Sequence, residues 1–225
     1  MEVKKIITKD GSCSLYVPEL DETYHSTNGA YQEAIHIFIQ RGLEYIVDSK
    51  DINTVRIFEA GFGTGLNAFL TYKRAKELDL SIEYYCIEAF PLQEDVIMNL
   101  NYHELGSCSE YKSILEDLHH AKWGELVSID NNFSIYKIKS DLSDPCVDDI
   151  KFDLIYFDAF GPDVQPELWT EDVFRKYYDI LLDKGCLITY SVKGIVKRAL
   201  KKVGFGISKL PGPPGKREIC RADKG

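Results

Sequence analysis

Three glycines in five positions, Gly61, Gly63 and Gly65 in FEAGFGTGLNAFL, separate a β-branched run from a helical pattern. Glycine is costly inside regular structure, so a bare backbone here points to a tight turn and to a ligand approaching closely. The spacing departs from the dinucleotide fingerprint G-x-G-x-x-G, because Leu66 fills the sixth position. Glu59 leads the loop instead, giving E-x-G-x-G-x-G. A carboxylate at that point repels a pyrophosphate and suits a cation or an ammonium group. Phe62 and Asn67, within the same stretch, join the ligand-facing candidates.

Further acids recur where later strands should end. Glu88 in YYCIEAF can accept both hydroxyls of a ribose, since a carboxylate takes two hydrogen bonds at once. Asp141 in KIKSDL can receive the exocyclic amine of adenine. A solvated strand end is the plain alternative for any one of these acids. Three in succession after a glycine loop describe an adenosine ligand with a cationic neighbour and no pyrophosphate, which is S-adenosylmethionine. Asp158 in IYFDAF then falls where the sulfonium methyl would sit, between Phe157 and Phe160. Methyl transfer to an amine requires an uncharged nitrogen aligned with the S–CH3 bond. A carboxylate can orient that amine and take its proton, while apolar walls exclude water. Asp163 and Glu167 read as loop or cap residues. Trp169 reads as a packing residue, with base stacking as the alternative.

Alternating elements must position these groups. VKKIITKDGSCSLYVP reads as a hairpin about Asp10-Gly11. A helix with Ile35, Phe38, Ile39 and Leu43 at core spacing follows the polar loop Tyr24–Asn28. From Thr54 the pattern is TVRIFEA (strand), GLNAFLTYKRAKEL (helix), SIEYYCIEA (strand) and PLQEDVIMNLN (helix, Pro91 in its first turn). NFSIYKIKSD and FDLIYFDAF are strands, EDVFRKYYDILLDKG a helix with a glycine stop, CLITYS a strand and GIVKRALKKVG a helix. Two strands joined by a Pro/Gly turn close the chain. Strand–helix alternation predicts an α/β fold, a Rossmann-like, mostly parallel sheet with helices on both faces. Residues 1–50 read as a hairpin and helix extension packed on the core, and 51–225 as the catalytic domain.

At 225 residues the chain can bury a substantial core. It shows no run of about 18 apolar residues, and its start lacks the apolar stretch of a signal peptide. A cytoplasmic protein with no membrane role is the expectation. The six cysteines are dispersed without a C-x-x-C pair, which argues against a disulfide framework and against a metal site. Net charge is −9, unevenly spread. From Lys193 onward ten Lys or Arg face two acids, a net +8, which leaves −17 on the first 192 residues. A basic face on an acidic body suits a selective polyanion binder, or is simply a solvated helix and a basic end.

YHSTNGAYQE, FEAGFGTGLN, IEAFP, FDAFGPDVQPELWT and GKREI occur in this order. Together they resemble the methyltransferase half of the bifunctional bacterial tRNA 5-methylaminomethyl-2-thiouridine biosynthesis family, from about Asp21 onward. The resemblance implies a class I S-adenosylmethionine-dependent methyltransferase that converts the aminomethyl group of the tRNA wobble uridine to methylaminomethyl. It matches Gly61, Gly63 and Gly65 to the cofactor loop, Glu88 to the ribose acid and Asp158 to the fourth-strand acid. Tyr24, His25, Lys216 and Arg217 fall in its motifs as substrate-binding candidates, the last two toward tRNA phosphates. The flavin-dependent oxidase half has no counterpart in these residues, so the resemblance is to a stand-alone methyltransferase. A spermidine-synthase-like aminopropyltransferase shares the sheet and the YQE motif. A catalytically silent tRNA- or partner-binding protein on this scaffold is the other alternative.

Overall fold

A computed structural model describes residues 2–106 and 108–225. Strands β1 (Lys4–Ile7) and β2 (Cys13–Val17) pair antiparallel across the expected Asp10-Gly11 turn, and β3 (Glu22–Thr23) adds to β2. The next helical stretch runs as α1 (Ala30–Ala34), a π-helical segment (Ile35–Leu43) and α2 (Glu44–Lys50). Its buried Ile37, Phe38, Ile39 and Leu43 join the main core.

β4 (Thr54–Ala60), α3 (Leu66–Leu78) and β5 (Ser81–Glu88) follow as the pattern predicts. The helix expected from Pro91 shrinks to one turn, α4 (Glu94–Ile97). Only Ile97 of that turn is buried, so no apolar stripe docks a longer helix. Periodicity assigned nothing between residues 102 and 131, where the structure places α5 (Lys112–His120) and β6 (Leu126–Ser128). Strands β7 (Phe133–Lys139) and β8 (Phe152–Phe157) come next. Helix α6 (Glu171–Asp179) stops before the predicted glycine, and β9 (Leu181–Thr189) takes over LLDKG. Leu181 is buried and pairs with Phe152, so the sheet overrides the helical pattern, with a register shift before Cys186. Helix α7 (Gly194–Val203) and the antiparallel pair β10 (Gly206–Pro211) and β11 (Glu218–Asp223) complete the chain.

The main sheet has the order β10-β11-β9-β8-β4-β5-β7-β6. Pairs among β7, β5, β4, β8 and β9 are parallel, while β6, β10 and β11 pair antiparallel to their neighbours. Strand parity divides the core. Val55 and Ile57 pack with the N-terminal helix, α3 and α5, whereas Phe58 and Ala60 pack with α6 and α7. Helices therefore cover both faces, which is why β4, β5 and β8 read as nearly unbroken apolar runs.

Candidate active site

The strand order reverses at β4: the chain winds out through β5 and β7, then returns to lay β8 and β9 on the other side. Ligands bind such sheets at the carboxyl ends beside the reversal. A cavity of about 840 Å³ opens there.

The glycine loop forms its floor. Gly61 has φ +96°, and a Cβ on it would lie 2.7 Å from the Asp158 carbonyl oxygen, so its bareness lets the ends of β4 and β8 approach. Gly63 has φ +49°, a left-handed conformation, and its missing Cβ makes room for the Tyr24 ring. Its N–H donates to Glu88 Oε2 at 2.9 Å, and Phe90 N–H donates to Glu88 Oε1 at 2.8 Å. Glu88 is thus clamped by backbone donors at the cavity wall. Burial raises its carboxyl above the ordinary value, against those donors.

Asn67, in the first turn of α3, holds two acids. Its Nδ2 donates to Glu59 Oε1 and to Asp158 Oδ2, each at 2.9 Å. Burial pushes Asp158 up to about 7, while the Asn67 hydrogen bond and the Lys216 charge pull it down and Glu33 pushes it up. Tyr24 packs edge-on to Phe160, ring centres 5.2 Å apart, and both rings line the cavity. His25 Nδ1 lies 3.0 Å from Ser14 Oγ. Burial, then the Lys216 charge, lowers His25 to about 4, so it is neutral near pH 7. Asp141, exposed at the end of β7, accepts from Ser143 N–H at 2.8 Å and lines the same cavity. A carboxylate pair, a half-buried acid near neutrality and aromatic walls can hold an adenosine-bearing ligand and take a proton from a bound amine.

A family described as S-adenosyl-L-methionine-dependent methyltransferase matches residues 123–225. The solved structure of MNMC2 from Aquifex aeolicus superposes with a TM-score of 0.81 over 98% of this chain and 69% of that one, at 24% identity. This is a class I S-adenosylmethionine-dependent methyltransferase fold. The chain is also 27% identical over 214 residues to the tRNA 5-methylaminomethyl-2-thiouridine biosynthesis bifunctional protein MnmC of Campylobacter concisus, covering 91% of this chain and 33% of that protein. The namesake from Campylobacter hominis is 28% identical over 178 residues, covering 77% and 26%. The resemblance drawn from the motifs is therefore borne out, and the chain spans about a quarter to a third of the length of these curated relatives.

The matched family is described as S-adenosyl-L-methionine-dependent, and the residues lining the cavity fit that cofactor. Each Glu88 oxygen receives one backbone N–H and retains a lone pair for a ribose hydroxyl. Not every predicted residue reaches the cavity. Glu59 is 0% exposed beneath the floor, because its place on β4 points it into the α3 face. Burial raises its carboxyl well above the usual range, and from beneath the floor it supports Asn67 instead of facing an ammonium group in the cavity. Gly65 caps α3, and its bare Cα faces His119 and Phe62 away from the ligand space. Phe157 points into the opposite face, edge-on to Trp169 with ring centres 5.1 Å apart. Trp169 is 1% exposed and donates to the Phe160 carbonyl at 2.8 Å, so it packs and cannot stack on a base. Asp163 pairs with Lys193 in the lining of the same cavity.

Lys216 departs from the phosphate-contact expectation: it folds inward onto Glu33 and the Tyr190 ring. Arg217 stays exposed at the cavity edge. Glu33 and Tyr190 line the cavity without having been singled out from the sequence. Their signals were present, since Glu33 closes the YHSTNGAYQE motif and Tyr190 follows the strand CLIT. Among the described residues, no group of three or more His, Cys, Asp or Glu is placed to hold a metal, and no helix is long and apolar enough to cross a membrane.

Proposed function

We propose that this chain methylates the amine of 5-aminomethyluridine, or of its 2-thio form, at the wobble position of tRNA. The observation that carries the reading is Asp158, held by Asn67 at the sheet reversal in one cavity with Glu88 and the glycine loop. The relatives named for tRNA 5-methylaminomethyl-2-thiouridine biosynthesis point to this substrate. The bound cofactor supplies an electrophilic methyl group on a sulfonium. Glu88 holds the ribose and Asp141 the adenine amine, with Phe62 on the loop between them. Asp158 orients the substrate amine and accepts its proton, leaving a lone pair to attack. Tyr24 and Phe160 exclude water from that end, and neutral His25 offers a hydrogen bond to the uracil without adding a charge.

Residues 1–50 and 51–225 act as one unit in this reading, because Tyr24, His25 and Glu33 wall a cavity built on the main sheet. Cytoplasmic tRNA is the matching partner. The methyltransferase family match counts against an aminopropyltransferase, and the assembled acids count against a silent module. The test is mass spectrometry of nucleosides from undermodified tRNA incubated with the protein and S-adenosylmethionine. Gain of one methyl on the aminomethyl nucleoside is expected; an unchanged nucleoside profile overturns the proposal.

A further inference from the structure

The turn between β10 and β11 carries Lys216 back over the cavity to the N-terminal helix. Lys216 Nζ lies 2.9 Å from Glu33 Oε2 and 4.2 Å from the centre of the Tyr190 ring. Tyr190 in turn donates its hydroxyl to the Ala159 carbonyl at 2.9 Å, so the ring under the lysine is bonded to the residue beside Asp158. The two side chains of the ion pair are 26% and 12% exposed. Charges so shielded from water act over longer distances than solvated ones. Gly215, with φ +90°, seats the turn against the Asn28 side chain, a second contact that fixes where the lysine enters.

We propose that the Glu33–Lys216 pair is a positioning device that sets the charge of Asp158. Lys216 keeps the acid in its proton-accepting form, and Glu33 holds the lysine over Tyr190 and moderates its field. The inference rests on the reading of Asp158 as the proton acceptor. The groups facing Asp158 come from every neighbouring element: Glu59 on β4, Asn67 on α3, Tyr190 after β9, Glu33 on α1 and Lys216 on the turn. Asn67 is uncharged, burial holds the Tyr190 hydroxyl neutral and disfavours the charged form of Glu59, and Lys216 and Glu33 are the charges acting on Asp158. Removing the cation makes Asp158 hold its proton more tightly; removing the anion does the reverse.

The test has two readouts. Infrared titration of the ligand-free protein, taken as a difference against Asp158→Asn, follows the Asp158 carboxyl directly. The pH profile of single-turnover tRNA methylation follows its function. Lys216→Met should raise the titration midpoint and the acidic limb together by about one pH unit. Glu33→Gln should lower both, and Lys216→Arg should restore the wild-type profile. An unmoved midpoint in Lys216→Met overturns the inference. So does a shift of Lys216→Met and Glu33→Gln in the same direction, which general loosening of the cavity would produce. If Asp158→Asn still methylates at the wild-type rate, the proton-acceptor reading fails instead, while the infrared arm still decides whether the pair sets the charge.

Discussion

In the proposed reaction the chemistry is concentrated in Asp158, a side chain whose burial brings it to about 7. Asp158→Asn keeps the shape and the Asn67 contact but not the basicity, so turnover should fall by about 10²–10⁴-fold. Cofactor affinity by calorimetry should stay near wild type. For the wild-type protein, kcat/KM should fall as pH drops through about 7, because protonation removes the acceptor. The linkage sign is the reverse of the usual carboxylate case. A folded value raised above 3.8 means that ionisation costs stability, a cost absent below the ordinary value and complete above about 7. Asp158→Asn should therefore raise Tm at pH 8 and leave it unchanged at pH 3.5, measured by calorimetric scans. Glu88 is tested differently. Its charge-assisted hydrogen bonds are worth about 1.5–3 kcal/mol each, so Glu88→Ala should cut cofactor affinity by at least about tenfold in a calorimetric titration. Wild-type affinity would remove Glu88 from the site.

Two elements support the site from beneath. Helix α5 props the glycine loop: His119 Nε2 lies 2.9 Å from the Thr64 carbonyl, and its ring packs edge-on to Phe62. Lys137, 0% exposed on β7, donates to the His119 carbonyl and lies 4.6 Å from the Trp123 ring centre. Burial lowers this lysine to about 8. The second support is the π-helical segment, where Gly42 crosses the sheet. A Cβ there would stand 3.2 Å from the Tyr156 ring and 3.3 Å from Ile188 Cγ2. Gly42→Val should overpack this crossing and cost about 1–3 kcal/mol, read as a lower urea midpoint with unchanged slope. Because Glu33 lies in α1, continuous with the displaced segment, the cofactor-bound protein should lose turnover as well. A wild-type urea midpoint would show that this helix is not packed tightly enough to carry the wall.

Across the whole molecule the basic residues near the end of the chain divide by what they touch. Lys216 is engaged with Glu33, Lys202 with Glu171 and Lys193 with Asp163, whereas Arg217 lies exposed at the cavity edge. If Arg217 meets one tRNA phosphate, Arg217→Ala should flatten the slope of log K against log salt by about 0.7–0.9. Filter binding of tRNA across a salt series checks this, and an unchanged slope would exclude Arg217 from the footprint. Lys216→Met should leave the slope unchanged, since its charge is directed into the cavity.

The β-branched runs and helical periodicities were enough to specify the alternation from Thr54, because each element's pattern follows from its own local geometry. The glycine loop and the acids at Glu88, Asp141 and Asp158 were legible for the same reason: a strand end and a turn are local events. Contacts between distant segments were not. Parity at Glu59 put that acid under the floor, and parity at Phe157 turned its ring away. Leu181 left a helical pattern because the edge of β8 was open to it. The Glu33–Lys216 pair joins residues 183 positions apart, and no local signal announces that a turn near the end will fold onto a helix near the start. The residue types and their order came from the sequence; which of them share a cavity, and with what charge, was decided by the tertiary structure, because burial and the proximity of distant charges exist only once the chain has closed on itself.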